Sequence, residues 1–449
     1  MDREPPPVSF RDLPGLFKPE NFALLARPDA RDLFREYRPW RKVRAIARQL
    51  NVHPDAAWST VKLGRIASWR RLELRQANGR EFGISSAPQL IAALHRVDRA
   101  TGRGGSAAFH APDGILFDPA SRDRLRIRTL IDEAAESSLI EGAATTRKDA
   151  VEMLRSGRPP RSTGERMVIN NYIAMQQVKR WLDRPLSIAM LLELQRTLTE
   201  GTLQDPAEAG RLRRRDEPVR VVDERDNADV YTPPPAESLP VRLTALCEFA
   251  NRSHEDEQFI HPIIKASILH FMIGYEHPFV DGNGRTARAV FYWHALRNGY
   301  GIFEYTGVSE LIRKGFAKYP QAYLDTELDD GDLTYFVLYK LDIIEQSLDR
   351  LAEHLRAEED KVRRSERLLR LSKNLNLRQR LLLEHALRHP ATQYTVKSHM
   401  NSNGIVAATA RADLDQLVRL RLMTTAKRGR EVIYLVAPTL ADRLAKKGL

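Results

Sequence analysis

Apolar positions recur along most of this chain at three- and four-residue spacing, the period of helices with one buried face. Residues 1–30 are proline-rich and polar and are expected to wrap or dangle. From about Arg31 to Asp98 the pattern predicts mostly helix, broken at Pro54 and around Asn78-Gly79. Residues 101–114, TGRGGSAAFHAPDG, read as a Gly/Ser loop, either a subdomain boundary or a mobile connection. Arg124 to Glu141 reads as one helix with a narrow buried stripe of Ile127, Ile131, Ala135 and Ser138, and Gly142 is its stop. Further helices are predicted over Gly164–Asp183, Ser187–Glu200, Leu239–Arg252 and Pro262–Tyr275, then Arg285–Asn298, Ser309–Lys318 and Asp332–Arg367. Between them, Val219/Val221/Val222 and Val230/Tyr231 bracket the polar run DERDNAD, which predicts a hairpin in a helical setting.

Residues 375–438 read as three helices and a hairpin. LRQRLLLEHALRH is an amphipathic first helix, Tyr394–Met400 a short second, Asn401–Gly404 a turn and Ile405–Leu422 a third. Met423–Leu435 then alternates around Lys427-Arg428-Gly429-Arg430. This order resembles a winged helix-turn-helix, a small α+β module, with KRGR as the wing; Thr409, Arg411 and Arg419 of the third helix, with Lys427, Arg428 and Arg430, are its candidate DNA contacts. A small helical interaction domain fits the same pattern. The segment VRAIARQLNVHPDAAWSTVKLGRI shares the cadence, but is read as helices packed on the core, with His53 as a cap or surface residue. The domain reading is 1–114 N-terminal helical region, 115–350 core, 351–374 linker helix and 375–449 basic tail module.

Charge sharpens this division. The chain of 449 residues carries a net charge of +12. From Leu371 onward there are 14 basic residues against 5 acidic ones, so +9 of that excess sits in the tail, the footprint of a nucleic-acid contact or a solvated basic surface. A single cysteine, Cys247, excludes a disulfide-built secreted scaffold. No stretch approaches about 18 consecutive apolar residues, so no membrane contact is expected. MDREPPPVSF lacks the layout of a signal peptide, and the expectation is a cytoplasmic protein.

The chemistry concentrates in His277-Pro278-Phe279-Val280-Asp281-Gly282-Asn283-Gly284-Arg285-Thr286-Ala287-Arg288, held between the apolar runs IIKASILHFMIGY and AVFYWHAL. Gly282, Asn283 and Gly284 can turn successive N–H groups into an anion nest, and a helix opening at Arg285 adds its positive end. Arg285 and Arg288 lie three apart on one helix face and suit a polyphosphate. Asp281 is a hard oxygen ligand beside that nest, the setting of magnesium. His277 is the group able to accept a proton near neutral pH. Together these describe transfer of a phosphate-containing group to a nucleophile.

The segment resembles the signature of the Fic family, His-x-Phe-x-(Asp/Glu)-Gly-Asn-Gly-Arg-x-x-Arg, at every specified position. The resemblance, over roughly residues 120–350, implies an all-α Fic-type helical core with a small β-hairpin flap. It implies a protein adenylyltransferase moving AMP from ATP, with Mg²⁺ or Mn²⁺, onto a Ser, Thr or Tyr hydroxyl of a protein target or of the chain itself. His277 would deprotonate the hydroxyl, Asp281 would bind the metal, and Gly282, Asn283 and Gly284 would form the anion hole. Arg285 would hold phosphates, Arg288 the γ-phosphate, and Phe279 would anchor the loop. The target would pair with the 219–231 hairpin, which follows the lead-in Gly210-x-x-Arg213. Tyr319 is a candidate for the adenine side, and equally a core aromatic.

Ser137-Ser138-Leu139-Ile140-Glu141-Gly142 resembles the family's inhibitory helix, (Ser/Thr)-x-x-x-Glu-(Gly/Asn). Ser137, Glu141 and Gly142 carry that match. By this analogy Glu141 pairs with Arg288 and denies it to the γ-phosphate. Two other readings stay open: removal of AMP or transfer of another phosphate-containing group at the same site, and a DNA-binding regulator using the site as a nucleotide sensor. Target identity, homodimer formation and the trigger for release are not encoded in any motif.

Overall fold

A computed structural model describes residues 3–9, 12, 18, 24, 26–101, 119–217, 219, 221–223, 228–253, 259–371, 374–390, 392–428, 431–438 and 440–447. The described chain forms two compact units. One holds Met1–Thr101 with Thr129–Ser347, the other Gly102–Arg128 with Leu348–Leu449.

The first unit opens with helices α1 (Arg31–Arg35), α2 (Trp40–Gln49) and α3 (Pro54–Arg65). His53 caps α3 by accepting the Asp55 amide, with Pro54 in the first turn where no N–H is needed. Contrary to the expectation of mostly helix in this stretch, Trp69–Arg75 and Glu81–Ser85 are strands β1 and β2 of an antiparallel hairpin. Asn78-Gly79 is its turn, with Gly79 at φ 82°, and the alternating burial of Leu72 and Leu74 is the two-residue period of a strand. Helix α4 is Pro88–Thr101. The Gly/Ser loop of residues 101–114 lies outside the described residues from 102 onward.

Helix α5 spans Pro119–Ile140, and Gly142 ends it in the left-handed region at φ 80°. The buried stripe begins at Ile131 and continues through Ala135 and Ser138. Ile127, one turn before the first buried position of that stripe, is 48% exposed, contrary to expectation. Helices α6 (Arg147–Ser156), α7 (Thr163–Arg180) and α8 (Ile188–Thr199) follow. The expected hairpin is β3 (Val221–Asp223) paired with β4 (Ala228–Tyr231); its tip, residues 224–227, lies outside the described residues.

Helices α9 (Leu239–Asn251), α10 (Pro262–Glu276) and α11 (Asn283–Arg297) form the heart of the unit. On α10, Ile263 through Ile273 are all buried, as is nearly every residue of α11, so this helix pair is encased on all sides by its neighbours. The helix expected over Ser309–Lys318 divides into α12 (Ser309–Lys314) and α13 (Lys318–Leu328), and α14 runs unbroken over Thr334–Leu371.

In the second unit, α15 (Leu377–Arg388) precedes β5 (Gln393–Tyr394), α16 (Val396–Asn403), α17 (Ala407–Arg419), strands β6 (Met423–Arg428) and β7 (Glu431–Val436), and α18 (Leu440–Lys447). The sheet order is β5-β7-β6. The predicted turn at Asn401–Gly404 is helical up to Asn403, with only Gly404 in the left-handed region. A core of Leu382, Leu383, Leu414, Leu417 and Tyr434 joins helices to sheet.

Candidate active site

The site is built where α10 ends and α11 begins. His277 caps α10 in the left-handed region, at φ 44° and ψ 58°, a conformation that costs a non-glycine residue energy and turns its side chain out of the helix. Its Nδ1 lies 3.2 Å from the Gly274 carbonyl. A carbonyl only accepts, so Nδ1 carries the proton and Nε2 keeps a free lone pair. Burial holds the imidazole below its ordinary value, while the nearby Glu141 charge opposes that shift in part. His277 is therefore neutral near pH 7 and able to accept a proton.

The loop after it is fixed by its own residues. Phe279 is fully buried. The Asn283 side chain accepts from the Phe279 amide at 2.9 Å and donates to the Phe279 carbonyl at 2.8 Å. Its role is thus to hold the loop shut. Gly282, at φ 90°, is the N-cap of α11. Asp281 is half exposed; one oxygen accepts from the Gly282 amide and the other from Arg285 at 2.8 Å. Arg285 is wholly buried, donates also to the Leu198 carbonyl, and leaves Nε without a partner among the described residues.

Arg288, 1% exposed, donates through Nε to the Ser137 hydroxyl at 2.7 Å. Its second nitrogen donates to the Ser137 carbonyl at 2.9 Å and to Glu141 Oε1 at 3.0 Å. NH1 has no partner among the described residues. The Glu141 carboxylate also lies directly on Gly284: a Cβ there would collide with it. The two motifs read 140 residues apart thus meet at one point, with a carboxylate seated at the positive end of α11.

Helix α5 is held in place from three sides. Ser138 donates to the Met167 carbonyl of α7, buried Glu133 accepts from the Ser309 amide of α12, and buried Glu136 pairs with Arg313 of α12 and Arg147 of α6. The structure also assigns positioning work that the motif does not reveal. Arg213 donates to the His277 carbonyl at 2.8 Å and to the Pro234 carbonyl, tying the loop to the chain leaving the hairpin. Gln195 of α8 donates to the Asp281 carbonyl at 3.1 Å. Arg213 was visible in sequence as part of a lead-in; nothing in the sequence singled out Gln195.

A cavity of about 290 Å³ opens over this loop. Glu141, His277, Asn283 and Gly284 line it, together with Tyr231 of the hairpin and with Phe316, Tyr319, Tyr323 and Glu327. Tyr319 borders the cavity while its hydroxyl bonds the buried His270 at 2.8 Å, so it is both core aromatic and wall.

Residues 185–295 match the model of the Fic/DOC family. The chain carries a Fic domain. It is 28% identical over 179 residues to a protein adenylyltransferase Fic of Drosophila virilis, covering 39% of this chain and 33% of that one. It is 32% identical over 171 residues to the protein adenylyltransferase fic-1 of Caenorhabditis elegans, covering 36% and 30%. The match thus spans about a third of the length of these relatives. In fold, the protein is similar to a Fic family protein from Desulfovibrio desulfuricans G20, with a TM-score of 0.52 at 18% identity over 79% of this chain and 97% of that one. No helix among the described residues is long and apolar enough to cross a membrane.

Of the tail residues, Arg411 and Arg419 are exposed on α17, Thr409 is partly exposed there, and Lys427 is exposed on β6. The Arg428 side chain and all of Arg430 lie outside the described residues.

Proposed function

We propose that the Fic domain transfers AMP from ATP to a hydroxyl side chain of a protein and that Glu141 holds it off. The observation carrying this reading is the position of the Glu141 carboxylate, bonded to Arg288 and seated on Gly284 at the opening of α11. In the transferring state, phosphate oxygens take that place, and the Arg288 donors now given to Glu141 turn to the γ-phosphate. The target hydroxyl loses its proton to His277 Nε2 as its oxygen attacks the α-phosphorus. The bond from that phosphorus to the bridging oxygen breaks, and pyrophosphate leaves. Arg213 and Asn283 keep His277 and the nest in register.

Among the described residues no group of three or more His, Cys, Asp or Glu side chains forms a metal cage. A single half-exposed carboxylate beside a phosphate nest nonetheless fits Mg²⁺, which is commonly held by one or two carboxylates and substrate phosphates. Asp281 would hold it, and the ion would neutralise phosphate charge. The target's extended segment would add to the β3–β4 hairpin. The exposed basic residues of the second unit support nucleic-acid binding there, alongside the transferase rather than in place of it.

Intact mass after incubation with MgATP tests the reading on the full chain, Glu141→Gly, and Glu141→Gly with His277→Ala. AMP should be added by the single variant and not by the double one. A Glu141→Gly protein no more active than the parent on itself or on added proteins would overturn the inhibitory role. Loss of an existing AMP-removing activity in that variant would instead support removal of AMP.

A further inference from the structure

The cavity over Gly284 has two chemically different walls. Around Gly284 it is lined by Asn283 at the opening of α11, His277 and the Glu141 carboxylate. Its other wall is one face of α13, where Tyr319, Tyr323 and Glu327 recur every four residues. Aromatic rings suit the flat face of a base but are indifferent to its edge. Edge recognition needs a donor or acceptor fixed among them, and Glu327 is the carboxyl of that wall.

Among the described residues no cation offsets its charge. Tyr231 of β4, Tyr275 of α10 and Tyr323 of its own helix sense its charge, and burial keeps each of these phenols neutral. His277 and Glu141 line the same cavity. Burial alone pushes the Glu327 carboxyl up to about 8, so the neutral acid dominates near pH 7.

We infer that Glu327 reads the base of the nucleotide, adenine through its protonated form and guanine through its ionised form. The inference rests on the nucleotide-transfer reading above. Adenine presents a bare ring nitrogen beside an amino group. The acid O–H donates to that nitrogen while its carbonyl accepts from the amino group, two bonds in one plane. Guanine presents two adjacent N–H donors, which the two oxygens of a carboxylate accept together. The neutral acid could engage guanine only by sliding to its N–H and carbonyl pair, against a side chain mounted on a helix between fixed rings.

The test is calorimetric titration of ATP and GTP into the full-length chain carrying Glu141→Gly, which clears the carboxylate from Gly284. It is repeated with Glu327→Gln and Glu327→Leu added, from about pH 6.5 to about pH 8.8. With Glu327 present, the ratio of ATP to GTP affinity should fall about tenfold over that range, as the proton is lost. Titration of His277 and of the phosphates affects both nucleotides and cancels in the ratio. With Glu327→Gln the ratio should be flat, because an amide offers a donor and an acceptor at every pH. With Glu327→Leu, ATP affinity at the lower pH should drop about tenfold. A flat ratio with Glu327 present, an equal fall in the Gln variant, or unchanged ATP affinity in the Leu variant would overturn the inference while leaving nucleotide transfer intact. Absence of binding by either nucleotide would overturn both.

Discussion

Two ion pairs of the first unit each join a buried cation to a carboxylate, and they differ in what can reach that carboxylate. Lys62 of α3 meets Asp329, just after α13, at 2.5 Å with both side chains almost wholly buried. Tyr335 donates to the same carboxylate at 2.7 Å, Arg65 donates to Tyr335, and Tyr37 donates to the neighbouring Asp332. This cluster fastens α3 and the chain before α2 to the segment between α13 and α14. Arg288 and Glu141 pair at 3.0 Å, but the Glu141 side chain is 22% exposed and borders a cavity. The cation is buried in both cases. What differs is whether a ligand can compete for it. A closed pair is architecture; a pair whose carboxylate sits where an anion could sit is a switch on the function proposed above.

The largest effect expected from this contrast is on stability. Removing one partner of a buried pair leaves the other charge uncompensated and costs about 3–5 kcal/mol. Lys62→Met should lower the thermal midpoint of the full chain severely. Lys62→Met with Asp329→Asn should recover much of that loss, because no lone charge remains. Differential scanning calorimetry reads both. A mild single variant would mean that the junction is not closed and that the contrast with Glu141 is false.

Ser137 offers a sharper and smaller probe of the open pair. Its hydroxyl takes the Arg288 Nε donor, whereas its carbonyl bond survives substitution. Ser137→Ala should cost about 1 kcal/mol of stability. It should also loosen Arg288 enough to give AMP transfer between that of the parent and Glu141→Gly, read by the rate of AMP incorporation. Activity equal to the parent would place the whole restraint on the carboxylate.

The parts of this protein legible in its sequence are those whose cause is local. The α10–loop–α11 motif carries its own folding instructions: apolar helices on both sides, Gly282 where a positive φ is required, and Asn283 bonded only four residues back. Helix stops such as Gly142 and caps such as His53 are local too. The β1–β2 hairpin was missed because its arginine-rich first strand, WRRLELR, has only Leu72 and Leu74 buried, and its second is finished by a bridge from Gly83 to Asp332, far along the chain. Ile127 misled because periodicity marks an apolar face without saying where the body that buries it begins. Gln195 and Glu327 are ordinary helix residues until folding brings them to the loop and the cavity.

The smallest effect separates the switch from the base it covers. Burial depresses His277, and the Glu141 charge partly restores it. Removing Glu141 therefore lowers the imidazole further, and it stays neutral to a more acid pH. In Glu141→Gly, AMP transfer should hold as pH falls past about 6.5, the ordinary histidine value, and be lost only below it, as the proton occupies Nε2. The sign is fixed, because protonation removes the lone pair that accepts the hydroxyl proton. A Glu141→Gln protein keeps a side chain over Gly284 without the charge, so it should shift the acid limb the same way while transferring AMP more slowly than Glu141→Gly. A limb at or above about 6.5 in Glu141→Gly would mean that solvent reaches His277 once Glu141 is gone, and that the carboxylate shields the base as well as occupying Arg288.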